Sequence, residues 1–456
     1  MNGPPSPKKG RFAMGRQRAC RFQPRKTMQD IGLPGPAPAF MLVVAFMTPA
    51  VVHAEKIRVP RVYPTIQAGI DAADHGDVVV VNDGVYAGDG NRNIDFRGKA
   101  ITVRSKHGPE SCIIDCEDGG RAFYFHSSEG SDSVLKGLTV TRGYVTGGGK
   151  DGNGGGMICD EASPTVINCS FRDNWANGGG AGVSVAGGGS PTFDSCMFVG
   201  NSDCPGYGGA LNIGDASSPA VVNCIFVENL RANTGGAICA LDSSNTSIVG
   251  CTIIGNSAIY GGGISLGNSA RVEIANCIIS DNSATGNAPT WGWGGGIVAH
   301  SYAEVIIGNC TISGNSATSY GGAISASAGR TTLGNCILWD NSAPYGGPQI
   351  AIGHRGDPCT LSVGYADVQG GQEAVYVGPN NTLLWGEGNI NADPLFAAGP
   401  AGAYYLSQLT CGQDQNSPCI DAGDGTAKQL GLKKSTTCTA GGNDRNIVDM
   451  GYHYPR

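Results

Sequence analysis

Two aspartates, Asp215 and Asp242, fall at the same place in successive copies of an internal repeat, four residues after the apolar residue that follows a Gly-Gly pair. Glu161 holds the same place in an earlier copy, and His300 stands one position before it in a later one. Two neighbouring carboxylates are what glycoside cleavage uses as nucleophile and acid, or what calcium takes as ligands. The local sequences Asp-Ala-Ser-Ser and Asp-Ser-Ser-Asn are ordinary turn sequences, however, and favour a turn. A second set is aromatic. Tyr207, Tyr260, Trp293 and Tyr320 stand four residues before the same apolar position, Thr234 interrupts them, and Tyr345 follows. An insertion from Thr285 to Gly292 adds Trp291. Flat rings in a row suit the faces of sugars; the plainer alternative is that they stack on one another and stiffen a corner. Tyr260, Trp291, Trp293, Tyr320 and Tyr345 are therefore the expected ligand-binding residues. Asp215, Asp242 and His300 are those a catalytic reading would use.

The elements that must position these residues are set by the repeat. Its cysteines are Cys169, Cys196, Cys224, Cys251, Cys277, Cys310 and Cys336, spaced by 27, 28, 27, 26, 33 and 26 residues. A fixed period in this range marks a stacked solenoid. Three residues before each cysteine and two after it the side chain is apolar, as at Val166 and Phe171 or Ile274 and Ile279. A third apolar file follows the glycine pair, from Met157 to Ile324. The files before and after cysteine are out of strand phase, so the chain must bend just before the cysteine. Five residues after every cysteine comes an asparagine, Asn174 to Asn341, expected to form a hydrogen-bonded ladder at a tight corner. The glycine pairs mark another corner.

These observations predict an all-β, right-handed parallel β-helix with three short strands per coil and about 12 coils, stacked about 4.8 Å apart. Helical solenoids are excluded because no repeat keeps helical apolar spacing. Propeller blades are longer and hold four strands. At the N-terminal end YPTIQAGIDAADHGDVVVV predicts a capping helix with Thr65 as N-cap and Ile66 and Ile70 on one face, then a strand from Val78 to Val81. The chain divides into an export leader over 1–54, a cap over 55–76, the β-helix over 77–395, and an irregular tail over 396–456.

The opening segment resembles that of secreted pectin-lyase-like β-helix proteins. The repeats, Gly-Gly-Gly-Ile followed by Asn-Cys-Thr-Ile-x-x-Asn-Ser-Ala, resemble those of polymorphic outer membrane proteins. The tail DPLF…SPCIDAGD…DMGYHYP resembles the ending of such bacterial surface and secreted proteins. The resemblance implies the fold over residues 60 to about 350, and leaves lyases, hydrolases, esterases and non-catalytic proteins all open. Polygalacturonase-type hydrolases carry Asn-Thr-Asp, paired Asp and Gly-His-Gly, of which only the fragment Gly353-His354-Arg355 is present. Lyases of this kind imply a basic catalytic residue with calcium held by carboxylates. Between 155 and 350 there is no lysine, and the arginines are Arg172, Arg231, Arg271 and Arg330.

Composition bears on compartment and partner. Residues 1–26 carry eight basic side chains, an apolar run spans Phe40 to Val52, and Val52-His53-Ala54 suits signal cleavage. The apolar run is short for a membrane span and Pro49 interrupts it. Without the leader, 22 basic and 36 acidic side chains remain, a net charge of −14, which argues against nucleic acid or an anionic membrane surface as partner, and against a polyuronate unless a metal intervenes. The inward cysteine file is expected to be reduced, with Cys112–Cys116 and Cys411–Cys419 as disulfide candidates. Zinc is not expected because no histidine cluster accompanies a cysteine pair, and no cofactor is called for beyond calcium in the lyase reading. The Gly-rich stretch from Thr146 to Met157 lacks the Ser or Thr of a phosphate loop after Lys150 and reads as a flexible connection. The expected protein is secreted or displayed on the cell surface, with the periplasm as the other compartment open to it. It is expected to be non-catalytic, offering a rigid face to polysaccharide or another surface. The alternatives are a polysaccharide lyase or glycoside hydrolase, and a structural adhesin or surface-layer segment. The tail is too short for a membrane barrel, so release or attachment through a partner is expected.

Overall fold

Each repeat closes a turn because three of its positions leave extended geometry. In the computed structural model, described over residues 54–202, 205–353, 358–444 and 446–456, the residue before each file cysteine is left-handed: Asn168, Ser195, Asn223, Gly250, Asn276, Asn309 and Asn335 have φ of 49 to 67°. The phase break between the apolar files falls here. The fourth residue after each cysteine, alternating Asp or Glu with Gly from Asp173 to Asp340, is left-handed too, with φ of 53 to 69°. The third position is the glycine corner, where Gly154 through Gly347 have φ of 60 to 70°. A Cβ on Gly294 would lie 2.3 Å from the Ile297 carbonyl oxygen, so only glycine fits that corner. The expected leader over 1–54, apart from Ala54, and the His354–Arg355 fragment lie outside the described residues.

Between the corners run three parallel sheets of 13, 11 and 10 strands among the described residues. Strands such as Thr165–Ile167 form the first sheet, those such as Ser170–Arg172 the second, and those such as Met157–Asp160 the third. Like residues stack on like: Val166, Phe193, Val221 and Ile248 are successive partners in the first sheet, and Met157, Val183, Leu211, Ile238 and Ile264 in the third. Parallel strands linked by coil crossovers of this kind wind right-handed. The 11-stranded sheet gives about eleven turns against the twelve expected. Coils longer than average account for the difference, since Leu135 to Val166 takes 31 residues and Ile274 to Ile307 takes 33. A short four-stranded ribbon, Ala232–Thr234, Ser257–Tyr260, Ser283–Ala284 and Ser316–Ala317, adds a fourth strand to those coils.

The interior is a set of files. Phe198 and Phe226 stack at 4.5 Å between ring centroids, inclined by 4°. The seven file cysteines are buried and free, and the backbone N–H of Cys251, Cys277 and Cys310 each meets the next coil's Sγ at 3.4 Å. Burial pushes the Cys169 thiol up to about 12 and holds Cys251, Cys277 and Cys310 well above the ordinary range. The asparagine ladder is continuous. From Asn174 to Asn315 each side-chain amide donates to the next Asn Oδ1 at 2.8 to 3.0 Å, and the same oxygen accepts the preceding asparagine's backbone N–H. Asn341 ends the series on Gln349 Oε1 at 2.7 Å.

Helix Ile66–Ala72 covers the N-terminal coil, with Ile66 and Ile70 fully buried and Thr65 Oγ1 accepting the Ala68 N–H. Its C-terminal carbonyls are met from the next coil: Lys99 Nζ donates to Ile70, Asp71 and Ala73 at 2.7 to 2.9 Å. The tail packs along the outside of the second sheet. The outward residue after the cysteine is 5% exposed at Ile278, under Tyr405, Tyr452 and Tyr454, and 0% at Ile337, under Leu406 and Met450. At uncovered coils its equivalents Met197 and Ile225 are 42% and 36% exposed. Corner asparagines fix the tail, Asn276 exchanging two hydrogen bonds with the His453 backbone and Asn335 two with Asp424.

The disulfides differ from expectation. Cys411 pairs with Cys438, and Cys419 is drawn beneath Met450 onto the second sheet, where its thiol meets Asp367 Oδ2 at 3.2 Å. Cys112 and Cys116 are both free and buried. They lie four residues apart at the ends of an extended run, roughly 13 Å by strand rise and too far to bridge.

Substituting Asn256→Ala takes the acceptor from the Asn229 backbone and side-chain N–H groups and removes the amide that donates to the Phe226 carbonyl. The expected loss is about 4 kcal/mol, from buried groups left unpaired. It is read as a lowered denaturation midpoint, with amide exchange accelerated first in the coils on either side.

Candidate functional site

Asp215 and Asp242 do lie in adjacent coils of one file. Both are exposed and left-handed, each opening a two-residue left-handed turn with Ala216 or Ser243. The file continues through Asn268, whose Nδ2 donates to Asp242 Oδ1 at 2.9 Å. Glu161, also left-handed, makes a similar corner. His300 is half-buried; its Nδ1 meets Ser301 Oγ at 2.9 Å, and its ring lies over Gly267, where a Cβ would come within 2.4 Å of it. The turn geometry thus suits the residue types at Glu161, Asp215 and Asp242, while His300 stands just before the left-handed pair Ser301 and Tyr302.

The aromatic residues are brought together. Tyr207, Thr234 and Tyr260 are consecutive in register, as are Trp293 and Tyr320. Tyr260 lies 5.0 Å from Trp293 between ring centroids, tilted by 36°, and 6.3 Å from Trp291, inclined to it by 62°. Tyr345 is not the next member of the file. Gly346 pairs with Tyr320, and the ring filling that place is Tyr376, 4.9 Å from Tyr320. A Cβ on Gly346 would meet the Tyr376 ring at 2.9 Å. Tyr345 stands beside the file, 6.2 Å from Tyr320 and tilted by 49°. Tyr260, Trp293, Tyr320 and Tyr376 are half-buried, whereas Trp291 and Tyr345 are 48% and 50% exposed. Edges of the filed rings and open surfaces of the two flanking rings therefore make one face.

The face is held in place, and from Tyr260 to Tyr345 it is built from segments without ionic side chains. The Thr318 hydroxyl donates to the Gly286 carbonyl and the Ser319 hydroxyl to that of Trp291, while Ser319 N–H bonds Gly292 O at 2.9 Å. These bonds fasten the insertion to the coil above. The segments 254–270, 282–303, 312–329 and 341–353, which bring the rings from Tyr260 to Tyr345, contain no Asp, Glu, Lys or Arg.

The Gly-rich stretch is an ordered loop, not a loose one. Lys150 Nζ meets both Asp160 carboxylate oxygens at 2.6 Å, and Arg121 donates to the Asp151 and Asn153 carbonyls at 2.9 and 3.1 Å.

Two features escaped the sequence reading. A groove of about 700 Å³ runs over the outer face of the first sheet near its last strand, between Ser362, Trp385 and the tail's Asp424. Asp424 is the one carboxylate among its lining residues, and two-carboxylate hydrolysis needs a pair. The second is in the tail, where one ligand atom each from Asp444, Asp449 and His453 lie within 4.8 Å of one another, a donor set a divalent cation accepts. Each is engaged within the protein. His453 Nε2 meets Asp444 Oδ2 at 3.0 Å, Asp449 Oδ2 accepts from the Thr437 hydroxyl, and Asp449 Oδ1 accepts the Asp421 N–H at 2.7 Å. The spacing Asp444, Asp449, His453 occurs once and belongs to no repeat, so periodicity gave no signal of it.

Fold and face define a right-handed parallel β-helix protein. Residues 155–338 match the profile of the family described as "Right handed beta helix region". That match is to the β-helix as such and carries nothing about outer membrane protein repeats. Among solved structures the chain is similar to pectate lyase Pel9A, with 14% identity, TM-score 0.46, and coverage of 84% of this chain and 90% of that one. It is also similar to the A-module of the Azotobacter vinelandii mannuronan C-5 epimerase AlgE6, with 16% identity, TM-score 0.33, and coverage of 72% and 94%. A third likeness is to tailspike protein 3 of bacteriophage CBA120, with 10% identity, TM-score 0.33, and coverage of 67% and 56%. No curated protein matches. No activity passes from these likenesses to this chain.

Burial pushes the Asp449 carboxyl up to about 6, with the neighbouring Asp444 adding to the rise and His453 opposing it. A carboxyl raised on folding contributes stability below its unfolded pKa near 3.9 and loses it as pH rises through the folded value. Docking of the tail is thus expected to weaken between about pH 4 and 6, by on the order of 2 kcal/mol. Near-ultraviolet dichroism of the tail tyrosines during melting at pH 4.5 and 7.5 measures this, and Asp449→Asn is expected to flatten the difference.

Proposed function

We propose that this chain is an exported β-helix protein that binds polysaccharide along its aromatic face without transforming it. The observation that carries the reading is the joined row of rings from Tyr260 to Tyr376, with Trp291 and Tyr345 standing open beside it on segments that hold no Asp, Glu, Lys or Arg. Aromatic side chains supply large contact area at little conformational cost, and a row fixed to stacked coils is set before the ligand arrives. Insertions in solenoids collect on the binding face, and the one insertion among the repeats carries Trp291. Export is supported by the leader-like residues 1–54 and by the Cys411–Cys438 disulfide, a bond that persists in oxidising compartments. The net charge of −14 without the leader suits a soluble or displayed protein.

The double variant Trp291→Ala, Trp293→Ala is expected to lose about 2 kcal/mol of affinity per binding event, roughly 30-fold in Kd. Retention in affinity gels cast with a broad panel of polysaccharides measures it, and unchanged retention on every gel removes the reading. Incubating the protein with the same panel, with and without calcium, should yield no new unsaturated or reducing ends; their appearance would make the protein an enzyme.

A further inference from the structure

Resting on the glycan-binding reading, we infer that the ligand is an uncharged, extended β-1,4-linked polysaccharide lying parallel to the helix axis, with Trp291 and Tyr345 as its two stacking platforms. The first ground is spacing. Trp291 belongs to the coil of Trp293, the next coil brings Tyr320, and the one after brings Gly346 beside Tyr345. The platforms are therefore about two strand spacings apart, roughly 10 Å along the axis. An extended two-fold chain of β-1,4-linked pyranoses advances by close to one strand spacing per sugar and presents the same ring face at every second sugar. Such a chain repeats in step with the platforms, whereas a coiled α-1,4-linked chain does not keep one face along a straight line.

The second ground is the orientation of the rings. The filed rings pack against each other at 4.9 and 5.0 Å, so their faces are largely spent on one another. Trp291 and Tyr345 stand off the file at 62° and 49° to their neighbours and are half exposed. Two platforms flank a narrow rail of ring edges, a shape that suits one linear chain.

The third ground is charge. A polyuronate carries an anion on each sugar, and on this face no cation is present in the segments that bring the rings. Without the leader the chain carries a net charge of −14, so a polyanion would be repelled. Hydroxyls are supplied instead. Ser257, Ser283, Ser316 and Ser342 stack in register on the ribbon beside the rings, Ser316 Oγ lying 3.1 Å from Ser283 Oγ.

The test is affinity electrophoresis and titration calorimetry of the full chain with hydroxyethyl cellulose, xylan and galactomannan, set against amylose, polygalacturonate and alginate. Retention is expected on the first group alone, unchanged by salt between 20 and 500 mM. With oligosaccharides of the preferred sugar, affinity is expected to rise at least tenfold between the dimer and the tetramer, where a chain first spans both platforms. Trp291→Ala and Tyr345→Ala should each abolish that step, with melting temperatures unchanged because both side chains are half exposed. Preference for amylose or for the polyuronates overturns this inference while leaving the aromatic face as a glycan site. Binding to the first group with no length step, or with the step intact in both variants, also overturns it. Retention on none of the six sinks it together with the reading on which it rests.

Discussion

Everything in this chain depends on coils lying in register, and the buried asparagine ladder is the interaction that permits no other alignment. A sheet alone tolerates sliding by two residues, because the apolar face is kept. The ladder does not. Each asparagine accepts from the backbone and side chain of one neighbour and donates to the next, and several also meet a carbonyl such as Phe171 O at 2.9 Å. A displaced coil would leave several buried polar groups without partners, and such groups are expensive. Hydrogen bonding thus sets the alignment that hydrophobic burial then stabilises.

The same alignment explains which features were legible in the sequence. A residue whose role is repeated seven times announces itself, so the cysteine, asparagine and glycine files and the bend before cysteine could be read from spacing alone. Their physical cause is local and recurs in each copy. Where the repeat decays the reading slips, as at Tyr345, one residue out of file because Gly346 must clear the ring of Tyr376. The tail holds no repeat at all. The pairing of Cys411 with Cys438, the seat of Cys419 on Asp367 and the contact of His453 with Asp444 come from how the tail crosses the second sheet, a long-range fact. The turn role of Asp215 and Asp242 was written in their own tetrapeptides.

Rigidity on the aromatic face comes from coils that cannot move independently. Trp291 sits in the insertion from Thr285 to Gly292, yet hydroxyls of the following coil hold the carbonyls of Gly286 and Trp291, so the loop inherits the order of the stack. Glycine is essential here too, because side chains at the corner would meet carbonyl oxygens of the adjoining strand. The corner stays thin, and the rings beside it lie close to the backbone.

The cysteine file also bears on how the chain withstands oxidation. Seven thiols lie in a row inside the coils, buried from water, and burial holds Cys169, Cys251, Cys277 and Cys310 above the ordinary thiol range. Closed, the solenoid keeps reduced sulfur unharmed in oxidising surroundings. Opened, even over three coils, it releases neighbouring thiols whose ionisation is no longer suppressed, and oxidation then joins them in pairings the native coil cannot accommodate. Lifetime under oxidising conditions is consequently governed by how rarely the stack unzips, a matter of barrier height and not of equilibrium between folded and unfolded chains.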